Sequence, residues 1–274
     1  MHLTTVAATA TLVLCALQAL GAEVRVHRNL TYARTPQKEL LLDLYIPSIH
    51  SGPYPVVLYV HGGGWSGGSK ENPPTARLVD RGYAVASINY RLSHEATFPA
   101  QIHDCKAAVR WLRANASMYG LTTEKIVAWG GSAGGHLVAL LATSGGVRDL
   151  EGDLGNAGES SRIQGAIDFF GPTDFFQLNG ARLYKRPDTP DSPEARLVGG
   201  ALAQRRDVVV AANPMAHLTK DDPPMLVLHG DQDDVVPPHQ SQLLAAAAWK
   251  AGVPIEHHVI PARGHGFRTG RDFD

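Results

Sequence analysis

The stretch KIVAWGGSAGGHLVALLAT, Lys125 to Thr143, decides the fold. Ile126 to Trp129 is a short apolar run of the kind that makes a buried strand, and Ala133 to Thr143 is rich in Ala and Leu and free of Pro, as a helix would be. Between them Gly130-Gly131-Ser132-Ala133-Gly134 fits G-x-S-x-G. A strand that turns into a helix at one residue strains the backbone at the apex and presses the residues two before and two after it together, so only glycine or something almost as small fits there. The Ser132 hydroxyl is left exposed at the carboxyl end of the strand, where the first N–H groups of the helix and the positive end of its dipole also aim. The bland reading is a glycine-rich turn. A phosphate loop is disfavoured, because the sequence has no G-x-x-x-x-G-K-[ST] pattern.

Strand and helix signals alternate on either side. Upstream, Val24 to Tyr32 and Leu40 to Ile46 read as two antiparallel strands joined by Ala33 to Glu39. The continuous strand Val56 to Val60 follows, then a helix over Pro73 to Arg81 and a strand over Tyr83 to Asn89. Next is a helix from Pro99 to Ala114 with Ile102, Cys105, Val109 and Leu112 as its inner stripe. Downstream come strands at Gln164 to Phe170, Met225 to His229 and Ile255 to Ile260, the last two joined by a helix over Pro238 to Ala251. This order predicts an α/β fold: a mostly parallel central sheet with helices on both faces, an antiparallel N-terminal edge, and any site at the carboxyl ends of the strands. Phe175 to Asn213, rich in Pro and Arg with a helix signal at Ser192 to Val198, interrupts the pattern and is expected to form a lid or pocket wall.

A serine hydroxyl becomes a nucleophile when a base takes its proton, and the base needs an acid to hold its tautomer. In this architecture the chain order is Ser, then Asp or Glu, then His. The strand ending at His229 runs into Gly230-Asp231-Gln232-Asp233-Asp234, where Asp233 is the expected acid, Asp231 suits the turn and Asp234 is the weaker alternative. The last strand ends in a loop that carries His265 between two glycines. Of the 13 histidines, His61 and His229 are expected to brace backbone at strand ends, His136 sits on the helix after Ser132, and His257 and His258 fall inside a strand. His61-Gly62-Gly63-Gly64 supplies unhindered N–H groups for a developing oxyanion, with Gly63, Gly64 and Ala133 as the expected donors. With no H-E-x-x-H and no Cys pair, neither a metal nor a cofactor is expected.

Through HGGGW (61–65), NYRLS (89–93), HDCKAAVRWLRANA (103–116), WGGSAGGH (129–136), FFGPTD (169–174), HGDQDDVVP (229–237) and GHGF (264–267), the chain resembles the α/β-hydrolase superfamily. More narrowly, it is similar to the secreted bacterial acetylxylan/feruloyl esterase-like group related to hormone-sensitive-lipase-type esterases. The resemblance implies a triad of Ser132, Asp233 and His265, with the HGGG glycines and Ala133 as oxyanion hole. It further implies a serine carboxylester hydrolase for short-chain or aryl esters, including acetyl or feruloyl groups on plant polysaccharide. Two alternatives are an arylformamidase or prolyl-peptidase-like amide hydrolase and, from another class, a non-catalytic binding protein of the same fold. In one respect the chain departs from the group: members continue past the histidine into a closing helix, whereas Gly266 to Asp274 is short and polar. The closing helix is therefore expected to be missing, one sheet face partly uncovered, and the chain a monomer or homodimer.

Composition bounds the rest. With 274 residues, 44% hydrophobic and 19% charged, residues 23–274 suit one α/β domain. A net charge of −1 favours neither nucleic acid nor an anionic membrane as partner, leaving a small-molecule or carbohydrate ester. Residues 1–22 read as a secretory signal peptide: Val6 to Leu20 is apolar and uncharged, and Ala19 to Ala22 offers small residues for cleavage. The run is short for a membrane span, which needs roughly 20 residues. A secreted or periplasmic location follows, without stable membrane association once the leader is removed. Loss of Cys15 with the leader would leave Cys105 without a disulfide partner.

Overall fold

The computed structural model describes residues 24–48, 52–178 and 189–267; the expected leader and the polar segment after Phe267 lie outside them. In chain order the strands are β1 (Val24–Arg34), β2 (Glu39–Pro47), β3 (Tyr54–Val60), β4 (Ala84–Ile88), β5 (Leu121–Gly131), β6 (Gly165–Phe169), β7 (Met225–Gly230) and β8 (Ile255–Ile260). The α-helices are α1 (Ala100–Ala114), α2 (Ala116–Tyr119), α3 (Ala133–Thr143), α4 (Arg148–Glu151), α5 (Pro193–Val198), α6 (Arg206–Ala212) and α7 (His239–Ala251). One sheet contains all eight strands in the order β1-β2-β4-β3-β5-β6-β7-β8. β2 is antiparallel to both its neighbours, and every pair from β4 to β8 is parallel. The carboxyl ends of β3, β5, β6, β7 and β8 therefore open on the same edge, where loops can converge.

Strand alternation sends side chains to two layers. Leu44, Leu58, Ala86 and Ala128 enter the larger core together with Cys105 and Val109 of α1 and Leu137 and Leu141 of α3. Tyr45, Val57 and Val85 face the other way and pack on Val79. Val79 belongs to Pro74–Arg81, the helix expected over Pro73 to Arg81, which takes the 3-10 form. The segment is short, begins with a proline that lacks an N–H and stops at Gly82 in the left-handed region, so it closes with tight turns.

Two of the quoted motifs turn out to be structural. Arg91 of NYRLS reaches the fully buried Asp104 on α1 at 2.6 Å, pinning the loop after β4 to that helix. Lys106 and Arg110 of α1 hold Glu151 at 2.6 and 3.5 Å, which fixes the turn after α3. In the insertion, Ser192 caps α5 by accepting a hydrogen bond from the Ala195 N–H at 3.0 Å. Helix α6 gives no sequence signal, because Val208, Val209 and Val210 are β-branched and poor helix formers; packing of Val209 and Ala212 into the core overrides that preference.

Asp168 on β6 is buried, with Oδ1 accepting from the Gly171 N–H at 2.9 Å and Oδ2 unpartnered among the described residues. Burial pushes its carboxyl up to about 6 despite the Gly171 hydrogen bond and the nearby His229. In the unfolded chain the same carboxyl loses its proton near pH 4. Between these two values folding takes up a proton, so the contribution to stability is present in acid and is lost as pH rises from about 4 to 6. Asp168→Asn is expected to remove that slope and to gain on the order of 2 kcal/mol over the parent at pH 7, read by denaturant unfolding at pH 4.5 and 7.

Candidate active site

Ser132 stands between β5 and α3 with φ 56° and ψ −124°, the strained apex that its flanks require. The strain is held by close packing. A Cβ on Gly130 would stand 2.3 Å from the Gly134 carbonyl oxygen, and one on Gly134 would stand 2.1 Å from that of Val60. Gly135 is equally constrained, since a Cβ there would meet Asp168 Oδ1 at 2.2 Å; G-x-S-x-G does not ask for this third glycine. The Ser132 N–H donates to the Phe169 carbonyl at 2.8 Å, tying the apex to the end of β6.

His265 and Asp233 meet as the sequence order requires: Nδ1 lies 2.7 Å from Asp233 Oδ2. Asp233 is buried, and its Oδ1 accepts from the N–H groups of Val235 and Val236, both at 2.9 Å. Burial alone would raise this carboxyl, but hydrogen bonds from His229, His265 and the backbone, with the histidine's charge, hold it well below the usual carboxylate range. It stays ionised and keeps the Nδ1 proton on His265. Asp231 is exposed, and Asp234 is half-buried with no hydrogen bond to a histidine among the described residues.

His229 does more than brace backbone. Its Nε2–H donates to the Val236 carbonyl at 2.8 Å and leans on Asp233 Oδ2 at 3.3 Å, so it supports the carboxylate from behind. His61 braces its own turn, with Nδ1 2.8 Å from the Gly62 carbonyl and the ring stacked on Tyr90 at 4.3 Å. Burial lowers its basicity, as it does for His136, which falls to about 4 and stays neutral. His136 Nε2 lies 2.7 Å from the Ala212 carbonyl, joining α3 to the end of α6. His257 pairs with Ser241 at 2.9 Å, whereas His258 is exposed.

The loop carrying His265 is held by an aromatic group that sequence reasoning did not single out. Phe170, with φ 46°, places its ring 4.8 Å from that of His265, and Phe267 packs on Phe169 and Phe170 at 5.2 and 5.0 Å. A Cβ on Gly230 would stand 2.1 Å from the Arg263 carbonyl, so this glycine lets the loop after β8 close on the end of β7. The motifs FFGPTD and GHGF contain these phenylalanines, and their signal was there to be read.

Ser132, His265, Gly63, Gly64 and Ala133 line one cavity of about 290 Å³. Gly63 and Gly64 adopt φ 106° and 58°, conformations that favour glycine. Ala133 is the first residue of α3, so its N–H has no partner within the helix. Trp65, Leu178, Val235 and Val236 give the cavity its apolar wall, and Pro193 and Glu194 of the insertion complete it. Pro193 seats against the glycine loop: a Cβ on Gly64 would stand 3.3 Å from its own Cβ.

Sheet order and elbow together define an α/β-hydrolase. More narrowly, the chain belongs to the BD-FAE family, whose model matches residues 42–248. The chain is 32% identical over 221 residues to the probable carboxylic ester hydrolase LipM of Mycobacterium tuberculosis, a match covering 79% of this chain and 50% of that one. It thus spans about half the length of that relative. A truncated form of a carbohydrate esterase from gut microbiota superposes with a TM-score of 0.81 at 34% identity, covering 89% of this chain and 90% of that one. Esterase 2 of the planctomycete Thermogutta terrifontis follows with 0.72 at 28% identity, covering 92% and 86%.

Since the Gly134 site has no room for a methyl group against the β3 backbone, Gly134→Ala is expected to cost about 3 kcal/mol or more of stability. Gly158→Ala, where a Cβ meets nothing within 4 Å, should leave the melting temperature nearly unchanged; thermal unfolding followed by circular dichroism compares the two.

Proposed function

We propose that the chain is a serine carboxylester hydrolase acting through an acyl-enzyme, with Ser132 as nucleophile, His265 as base and Asp233 as the acid that orients it. The observation that carries this reading is the 2.7 Å hydrogen bond from His265 Nδ1 to a buried, ionised Asp233, beside a strained Ser132 on the same cavity. With Nδ1 holding its proton, Nε2 is the basic nitrogen. It takes the Ser132 proton as Oγ attacks the ester carbonyl, and Asp233 stabilises the imidazolium that forms. The negative charge gathers on the former carbonyl oxygen, where the N–H groups of Gly63, Gly64 and Ala133 receive it. His265 then protonates the departing alcohol, and water repeats the sequence on the acyl-enzyme.

Short-chain and aryl esters suit a cavity of this size, and acetyl or feruloyl groups on plant polysaccharide are the proposed natural substrates. The likeness to a carbohydrate esterase supports that choice, as does an exported location if residues 1–22 direct one.

Ser132→Ala is expected to abolish p-nitrophenyl acetate hydrolysis and labelling by a fluorophosphonate; activity equal to the parent's would remove the assignment. Asp233→Asn, which favours the wrong tautomer of His265, should lower kcat by about 10³ to 10⁴ with the fold intact, measured by initial rates alongside circular dichroism.

A further inference from the structure

Glu194 is the one carboxylic acid among the described residues lining the cavity that contains Ser132 and His265. The chemistry of ester cleavage does not use it, because the acid paired with His265 is Asp233. Burial raises its carboxyl, an effect partly offset by hydrogen bonds from its own backbone N–H and from Ser192. No lysine or arginine stands among the described lining residues to pair with it. Placing such a group in a cavity that is also lined by Trp65, Leu178 and Val236 costs desolvation, and an apolar residue would line it without that cost.

A carboxylate has about four lone-pair sites, so two protein donors leave room for hydrogen bonds from whatever occupies the cavity. The segment is also well placed, since Pro193 rests on Gly64 of the glycine loop, next to where the ester carbonyl sits in the proposed reaction. Hydroxyl groups beside the scissile ester meet these conditions, as in a partly acylated sugar: they are neutral, donate hydrogen bonds and lie within a few bonds of the reacting carbon. A carboxylate-bearing alcohol would be repelled, and a phenol offers no second donor.

Resting on the esterase reading above, we propose that Glu194 is a specificity-determining residue that accepts hydrogen bonds from the free hydroxyls of the alcohol part of the substrate, selecting esters of polyhydroxylated alcohols over simple aryl esters. The binding is to the alcohol; the acyl group faces the nucleophile and the oxyanion donors.

The test is the ratio of kcat/KM on acetylated xylo-oligosaccharides to kcat/KM on p-nitrophenyl acetate. In Glu194→Ala the ratio is expected to fall about tenfold or more, as when a hydrogen bond to a charged group is lost. Glu194→Gln, which keeps the shape and one acceptor, should lie between, with both variants checked for folding by circular dichroism. A ratio unchanged within twofold in both variants, or equal losses on the two substrates, would overturn the proposal. So would a parent preference for aminoalkyl acetates that Glu194→Gln abolishes, which would make the ligand a cation. If the parent hydrolyses neither substrate and Ser132 resists a fluorophosphonate, the esterase reading falls and this inference with it. If the parent hydrolyses and is labelled while the ratio stays fixed, only the role of Glu194 is lost.

Discussion

A serine held at φ 56° costs on the order of 1–3 kcal/mol, and the conformation persists only because the chain around it leaves no alternative. Gly130 and Gly134 approach until no Cβ would fit, Gly134 lies on the Val60 and His61 carbonyls, and Gly135 abuts Asp168. Each contact joins α3 to a different strand. The elbow is thus the place where β3, β5 and β6 are locked to one helix, and the large core of α1 and α3 side chains supplies the cohesion that keeps it strained.

From that lock the rest of the site follows by adjacency. The carboxyl end of β3 leads straight into the glycine loop, and the ends of β7 and β8 bring Asp233 and His265 across the sheet. Between them, Phe169 and Phe170 at the end of β6 serve two neighbours: the Phe169 carbonyl binds the Ser132 N–H, and both rings receive Phe267. His229 stands behind Asp233 and fixes the turn that presents it. The histidine loop is gripped from the side by aromatic rings and from below by a buried carboxylate.

What could be read in the sequence had short-range causes. The alternation in Leu40 to Ile46, the continuous run Val56 to Val60 and the glycines around Ser132 report local conformation or burial, and the order Ser132, Asp233, His265 follows from topology. What escaped depended on contacts between distant segments. Nothing near Gly135 says that Asp168 will stand against it, nothing near His229 says that Asp233 will turn back to meet it, and the three valines of α6 argue against the helix that tertiary packing makes of them. Glu194 carries no local signal, because its place on the cavity depends on how α5 is seated rather than on its neighbours in the chain.

The seat of Pro193 on Gly64 joins two parts with different duties: an insertion that lines the pocket and a loop whose N–H groups are the proposed oxyanion donors. His136 adds a second tie, from the helix after the elbow to the far end of the same insertion. Substitutions in residues 189–213 that suit the pocket to a new alcohol therefore also press on the glycine loop and on α3. In a lineage of such chains, the choice of substrate and the speed of turnover would drift together, because Gly64 at φ 58° cannot itself be exchanged to absorb the strain.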